Sequence, residues 1–369
     1  MKATDLTPLI ATHPGEILKD ELDASEISQS DFAKTIGFNR SQLNEFIKGK
    51  RNLNADLAIL LEKTLGIDAD YWMEAQKNYD LDLARIKAKN NERLEAIEQL
   101  DFIKEKIAYT FFSKEKILQG DPIKDIQAIK IIYGVEHFEQ FANMRTQPSF
   151  SRFRKSTKLK VDPINIIGWA KLIEHKASFV SVPTFDYKCQ DELINTLKVL
   201  LKENKNTLRT TQNLLADYGI KLILQTKGAK TPVDGISFWS NGNPAIGMSI
   251  RHKRLDNFAF TLFHELGHIF KHLVNNNESR FIDLDPNNED EEYKNSSEEK
   301  EANRFAEQYL ISDNEWEEYL EKYGANPLDD QNIVEYAEKI GIHPSILRGR
   351  ACYKSGFYKK KTRIDYKLY

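Results

Sequence analysis

His264-Glu265-Leu266-Gly267-His268 lies in a stretch, 255–272, with no proline and mostly apolar spacing, which reads as a helix. Residues four apart on a helix share a face. His264 and His268 can therefore aim two imidazole nitrogens at one metal ion, while Glu265 reaches the edge of the same site. That combination suits a zinc pair with an adjacent base. Phe258, Phe260, Leu262, Phe263, Ile269 and Phe270 surround the pair with apolar surface. The plainer account of the two histidines alone is burial with hydrogen bonds satisfied.

A tetrahedral catalytic site takes three protein ligands and leaves one position for water. A second predicted helix, 295–311, offers Glu298, Glu299 and Glu301 as the third ligand. Glu299 is preferred because Asn303, four residues later on the same face, can hydrogen-bond a ligand histidine, whereas Glu301 has Phe305 at that offset. Glu301 stays the rival. Zn²⁺ held this way lowers the pKa of a water to about 7, and Glu265 would take that water's proton and pass it to the leaving amine of a peptide. Arg251, His252 and His272 are the nearby groups able to face an oxyanion. His272 reads as a neighbour of the ligands, since His264 and His268 already fill the helix face.

The other chemistry lies at 28–53. Ser28 can cap a helix over Gln29–Ile36, Gly37 breaks it, and Asn39 or Ser41 starts another that ends at Gly49. This helix, turn, helix arrangement can send the start of its second helix into a DNA major groove. Asn39, Arg40, Ser41, Gln42 and Asn44 suit contacts with base edges, and Lys48, Lys50 and Arg51 suit phosphates. Residues 39–54 carry four basic groups against Glu45, yet residues 1–80 hold nine Lys+Arg against fourteen Asp+Glu, a net −5. DNA contact must therefore be local, or the domain must bind protein instead.

The elements that would position these groups divide the chain in three. Residues 1–80 read as an all-helical module, with a further helix through Leu57, Leu60, Leu61 and Leu65 that stops at Gly66. Residues 81–160 read as a helical linker: a long exposed helix to about 108, helices at 125–132 and 136–144, and an irregular basic connection at 148–163. Residues 161–369 form the metal-binding domain. There, 221–225, 235–239 and 245–250 resemble a small meander, turning at Lys227-Gly228 and Asn241-Gly242, and 275–294 reads as an acidic surface loop. The fold class is α+β.

A length of 369 residues with 40% hydrophobic and 11% aromatic residues supports two or three folded domains. No apolar run is long enough to span a membrane, no signal-peptide pattern opens the chain, and Cys189 and Cys352 form no disulfide framework, so a cytoplasmic protein without a membrane partner is expected. A net charge of −3 advertises no global attraction to nucleic acid. The segment 353–369, with six basic residues against Asp365, reads as a solvated end.

Both halves resemble known families. His13-Pro14-Gly15-Glu16-Ile17-Leu18, Ser28-Gln29 through Gly37, Gly49-Lys50-Arg51 and Tyr71-Trp72 resemble the HigA-like antitoxin branch of the Xre-type helix-turn-helix family. Residues from about 215 to 312, including Arg251, Asp256, Phe260 through His268 and Glu299 through Ala306, look like the ImmA/IrrE family of zinc metallopeptidases, with a zincin-like α+β domain. Ile342-His343-Pro344 resembles the closing segment of fused proteins of this kind. The resemblance implies ligand roles for His264, His268 and Glu299, a base role for Glu265, and cleavage of a repressor or antitoxin protein. It also implies a homodimer on operator DNA, with a toxin as a further partner. One departure, Leu310-Ile311-Ser312 where the family ends its ligand helix with proline, is expected to lengthen that helix. Two other readings remain: a non-proteolytic antitoxin with a structural zinc site, and a protease whose helix-turn-helix docks protein.

Overall fold

The computed structural model describes residues 8–137, 140–141, 163–228, 231–249, 253–284 and 296–369. The chain divides into two compact units, Met1–Glu98 and Gln99–Tyr369. No helix among the described residues is long and apolar enough to cross a membrane.

The first unit opens with α1 (Pro14–Ala24), α2 (Gln29–Thr35), α3 (Arg40–Ile47) and α4 (Ala55–Leu65). Their starts are fixed by side chains that satisfy free backbone N–H groups: His13, Ser28, Asn39 and Asn54 each accept from an amide of the first turn. Leu18, Phe32, Leu43, Phe46, Leu57 and Leu61 close the core. Gly15 lets α1 approach α3 closely, because a Cβ there would overlap the carbonyl oxygen of Phe46. α5 (Ala69–Ile103) then runs for 35 residues, about 50 Å at 1.5 Å per residue. Its first turns complete the core: Trp72 is fully buried, and Gln76 accepts from the Leu53 amide at 2.8 Å. The helix continues past residue 80, where the sequence suggests a boundary, without a break.

The second unit begins with α6 (Tyr109–Lys114), α7 (Pro122–Tyr133) and α8 (Pro163–Ser178). The expected helix at 136–144 and the basic connection at 148–163 lie largely outside the described residues. α9 (Gln190–Glu203) and α10 (Thr207–Asp217) lead into β1 (Lys221–Leu224), β2 (Val233–Ser240) and β3 (Asn243–Met248). Asn241 and Gly242 both have positive φ, 47° and 83°, so the β2–β3 hairpin turns as Asn-Gly predicts.

The sheet is not a meander. Its order is β1-β3-β2-β4, with β1 parallel to β3 and the other pairs antiparallel. β4 (Phe281–Leu284) comes from the stretch expected to be only a surface loop, since Phe281 and Ile282 give it enough apolar character to pair along β2.

α11 (Leu255–His268), one π-helical turn (Ile269–Leu273), and α12 (Ser297–Leu310) pack together against the sheet. α12 is not lengthened by the missing proline. Ile311 turns extended at φ −146°, and Ser312 caps the next helix in a reciprocal pair with Glu315, so the first helix ends at Leu310 without a proline. α13 (Asp313–Tyr323), α14 (Asp330–Lys339) and α15 (Pro344–Ser355) complete the unit.

The C-terminal end is more than a solvated tail. Tyr366 O accepts from the Leu255 amide at 2.8 Å, Leu368 N donates to Lys253 O at 3.0 Å, and Leu368 is buried. These bonds pin the start of α11, where orphan helix amides need partners.

Candidate metal centre

α11 turns His264, Glu265 and His268 inward, and α12 brings Glu299 to meet them; all four are essentially inaccessible to solvent. The close approach of the helices depends on Gly267, whose added Cβ would lie 3.0 Å from Ala302 Cα and 3.1 Å from Phe305 Cβ. Glu299 sits in the first turn of α12, and its amide donates to Ser296 Oγ at 3.3 Å. Of the three glutamates considered from sequence, it alone is buried; the Glu301 side chain is 62% exposed.

His264 Nε2 and His268 Nε2 lie 3.0 Å apart, and Glu299 places Oε2 3.3 Å from the first and Oε1 3.5 Å from the second. Three donors about 2.0–2.1 Å from one tetrahedral ion would be roughly 3.3 Å apart, so the spacing fits zinc. Hydrogen bonds on the far side of each ring set the tautomers. Asn303 Oδ1 accepts from His264 Nδ1 at 3.1 Å, leaving the His264 Nε2 lone pair facing inward. His268 Nδ1 meets His272 Nδ1 at 3.1 Å, and His272 Nε2 meets Glu301 Oε2 at 3.2 Å, a chain consistent with a His268 Nε2 lone pair also facing inward. Two imidazole nitrogens and a carboxylate converge on one point, where a shared positive charge, a proton or a metal ion, satisfies them. His264, His268 and Glu299 are the cluster of metal-ligating groups found among the described residues.

The ionisation of these groups reflects two opposed influences, burial and neighbouring charge. Burial works against a charged His264, but Asp283, Glu299 and Glu265 reverse it and lift it to about 10. Burial pushes His268 down to about 4 and Glu265 up to about 8. Burial opposes ionisation of Glu299 too, yet its hydrogen bonds to His264 and His268 hold its carboxyl well below the usual range.

Glu265 is held from the sheet. The Ser237 hydroxyl on β2 donates to its Oε2, while Oε1 has no hydrogen-bond partner. Gly235, two residues earlier on β2, makes room: a Cβ there would overlap Oε1 and lie 2.6 Å from Glu265 Cδ. From β4, Phe281 stacks on His268 with ring centroids 4.3 Å apart and planes at 10°. Ser237, Gly235 and Phe281 escape sequence reasoning, although a glycine inside a β-prone run is a signal of close approach. Arg251 and His252 lie outside the described residues. His272 stands behind His268, consistent with a supporting place.

In the first unit, Asn39, Arg40, Ser41, Lys48, Lys50 and Arg51 are exposed, and Gln42 and Asn44 half-buried. Asn39 caps α3, its Oδ1 accepting from Ser41 N at 2.8 Å, so that oxygen is committed to the helix. Leu43, Phe46 and Ile47 anchor the opposite face.

The fold and the site define a two-part protein, with a small helical reading module and an α+β domain enclosing a candidate metal centre. The helix-turn-helix family profile matches residues 18–72, and the profile of the M78 peptidases, described as the IrrE N-terminal-like domain, matches 216–339. Virulence-associated protein I of Dichelobacter nodosus is 39% identical over 75 residues, covering 20% of this chain and 69% of its own length. Virulence-associated protein A' of the same organism is 37% identical over 70 residues, covering 19% and 61%. A solved addiction module antidote protein of the HigA family from Coxiella burnetii shares 30% identity over 22% of this chain and 91% of its own, with a TM-score of 0.22. The chain belongs to the helix-turn-helix family and joins a DNA-binding domain of that type to an IrrE-like domain of the M78 peptidase family.

Proposed function

We propose that the chain is a cytoplasmic DNA-binding regulator whose second domain is a zinc-dependent endopeptidase acting on a repressor or antitoxin protein. One observation carries the catalytic half: His264, His268 and Glu299 converge on a point beside a buried Glu265 whose Oε1 has no partner. His264, His268 and Glu299 would hold a zinc ion there, and it would supply an acidified water and polarise a peptide carbonyl. The chain's own residues do the rest. Ser237 fixes one oxygen of Glu265, so the free Oε1 takes a proton from water and returns it to the leaving amine. Phe281 and Asn303 keep the two imidazoles in place.

A structural zinc site needs no base and usually closes with a fourth protein ligand, so Glu265 favours catalysis over the non-proteolytic reading. For the first domain we propose operator DNA as partner, read by Arg40, Ser41, Gln42 and Asn44 and held by Lys48, Lys50 and Arg51. A toxin partner belongs to the same reading.

The test is Glu265→Gln, which keeps the volume and loses the base. Cleavage of a repressor substrate should fall by about 10²–10⁴-fold with zinc retained. Undiminished cleavage would remove Glu265 from the mechanism.

A further inference from the structure

The basic stretch 353–369 borders a groove of about 650 Å³ on the second unit. Pro327 and the buried Leu328, from the turn between α13 and α14, line one side. Gly356, at φ 74°, ends α15 and turns the chain so that Phe357, Tyr358 and Lys359 line the other. Both rings are left in water, at 69% and 63% exposure. Large apolar groups gathered at a groove mark a surface that a partner covers.

The charge beside the groove is one-sided. Lys360 Nζ donates to Asn326 Oδ1 at 3.0 Å, but Lys359, Lys361 and Arg363 have no side-chain partner among the described residues. Asp329 and Asp330, which follow Leu328, are already committed. Asp329 accepts from the Gln331 and Asn332 amides, and Asp330 accepts from the Thr362 hydroxyl and the Arg363 amide.

We propose that this groove docks an acidic segment of the protein substrate, with an aromatic or aliphatic side chain seated among Pro327, Leu328, Phe357 and Tyr358 and carboxylates on Lys359, Lys361 and Arg363. The proposal rests on the peptidase reading above and supplies what that reading lacks. His264, Glu265, His268 and Glu299 are buried, so the metal centre offers little surface for choosing a substrate, and selection falls to contacts away from the reacting bond. An apolar anchor in a recess, bordered by complementary charge, holds a protein segment in this way. Single-stranded nucleic acid also combines rings with cations, but its bases stack on open ring faces, whereas these rings stand across a groove from Pro327 and Leu328.

The groove lies within reach of the metal centre. α15 meets the start of α11 at Gly349, whose added Cβ would lie 2.9 Å from Asp256 Oδ2. Ser355, at the groove, and His264 are then about 9 Å and about 12 Å away along their helices at 1.5 Å per residue. The separation is therefore under about 30 Å, and about ten extended residues join the docked segment to the scissile bond.

Fluorescence anisotropy of the full chain tests the docking. The probe is a labelled peptide, Gly-Glu-Glu-Trp-Leu-Glu-Glu-Gly, titrated beside the same peptide with Lys for every Glu and beside one with Ser for Trp and Leu. The acidic apolar peptide should bind at least about tenfold tighter than either. Lys359→Glu combined with Lys361→Glu, and Phe357→Ser combined with Tyr358→Ser, should each weaken it at least about tenfold, with helical and zinc content unchanged because all four side chains are exposed. Equal binding of the three peptides, or full binding by both double variants, would overturn the docking. Oligothymidylate binding that is lost in these variants, with no peptide bound, would overturn it as well and assign the surface to nucleic acid. Cleavage of a repressor substrate separates this inference from the reading beneath it: both variants should raise KM about tenfold and leave kcat unchanged. Cleavage with KM unmoved in both variants would sink the docking and leave the peptidase reading intact; peptide binding without any cleavage would do the reverse.

Discussion

α3 and α11 each present the polar residues of a proposed site, and they do so under opposite constraints. α3 buries Leu43, Phe46 and Ile47 and leaves Arg40 and Ser41 exposed and Gln42 and Asn44 half-buried. α11 buries His264, Glu265 and His268 as deeply as its leucines. An exposed Arg40 costs nothing to leave without a protein partner, so the fold locates it and says little more. A buried imidazole must be matched atom by atom. Asn303, His272 and Ser237 supply that matching, and it stops at two buried carboxylate oxygens, Glu299 Oε1 and Glu265 Oε1, beside the proposed metal position.

Substitutions in the buried region should therefore act strongly and specifically. The largest effect is expected at Glu299: Glu299→Ala should weaken zinc affinity more than about 10²-fold, while the exposed Glu301→Ala changes it less than about tenfold, as expected for a residue acting through His272. Competition with a chelator measures both, and the reverse order would pass the ligand role to Glu301. Next is Gly235→Ala. Its methyl group must displace the Glu265 carboxylate, and a displacement of about 1 Å is enough to reduce turnover by about 10²-fold. Zinc content should not change; full activity would show that the carboxylate does not work from this position.

The exposed region should respond more mildly. Arg40→Ala should weaken operator binding by about 1–3 kcal/mol and affect a random duplex little. Lys50→Ala should weaken both duplexes modestly and reduce the salt dependence by about one counterion. Titrations at two salt concentrations separate these outcomes. Equal loss on both duplexes from Arg40→Ala would move that residue from base edges to phosphates.

Legibility from sequence follows the same contrast. The caps at Ser28 and Asn39, the Asn241-Gly242 turn, and the four-residue offsets linking His264 to His268 and Glu299 to Asn303 are local, and each is found where the spacing predicts. What was hidden is contributed by residues distant in sequence. Ser237 and Gly235 reach Glu265 only because β2 lies beside α11, and β4 exists only because Phe281 and Ile282 find β2. The end of α12 at Leu310 is also local: Ser312 with Glu315 three residues later is a capping-box pattern, and it outweighs the missing proline.

The proposed chemistry requires that His264, His268 and Glu299 hold one zinc ion for Glu265 to use. Elemental analysis of the purified chain beside His268→Ala tests it most directly. About one zinc per wild-type chain is expected, and little in the variant. Full zinc occupancy in His268→Ala would contradict it.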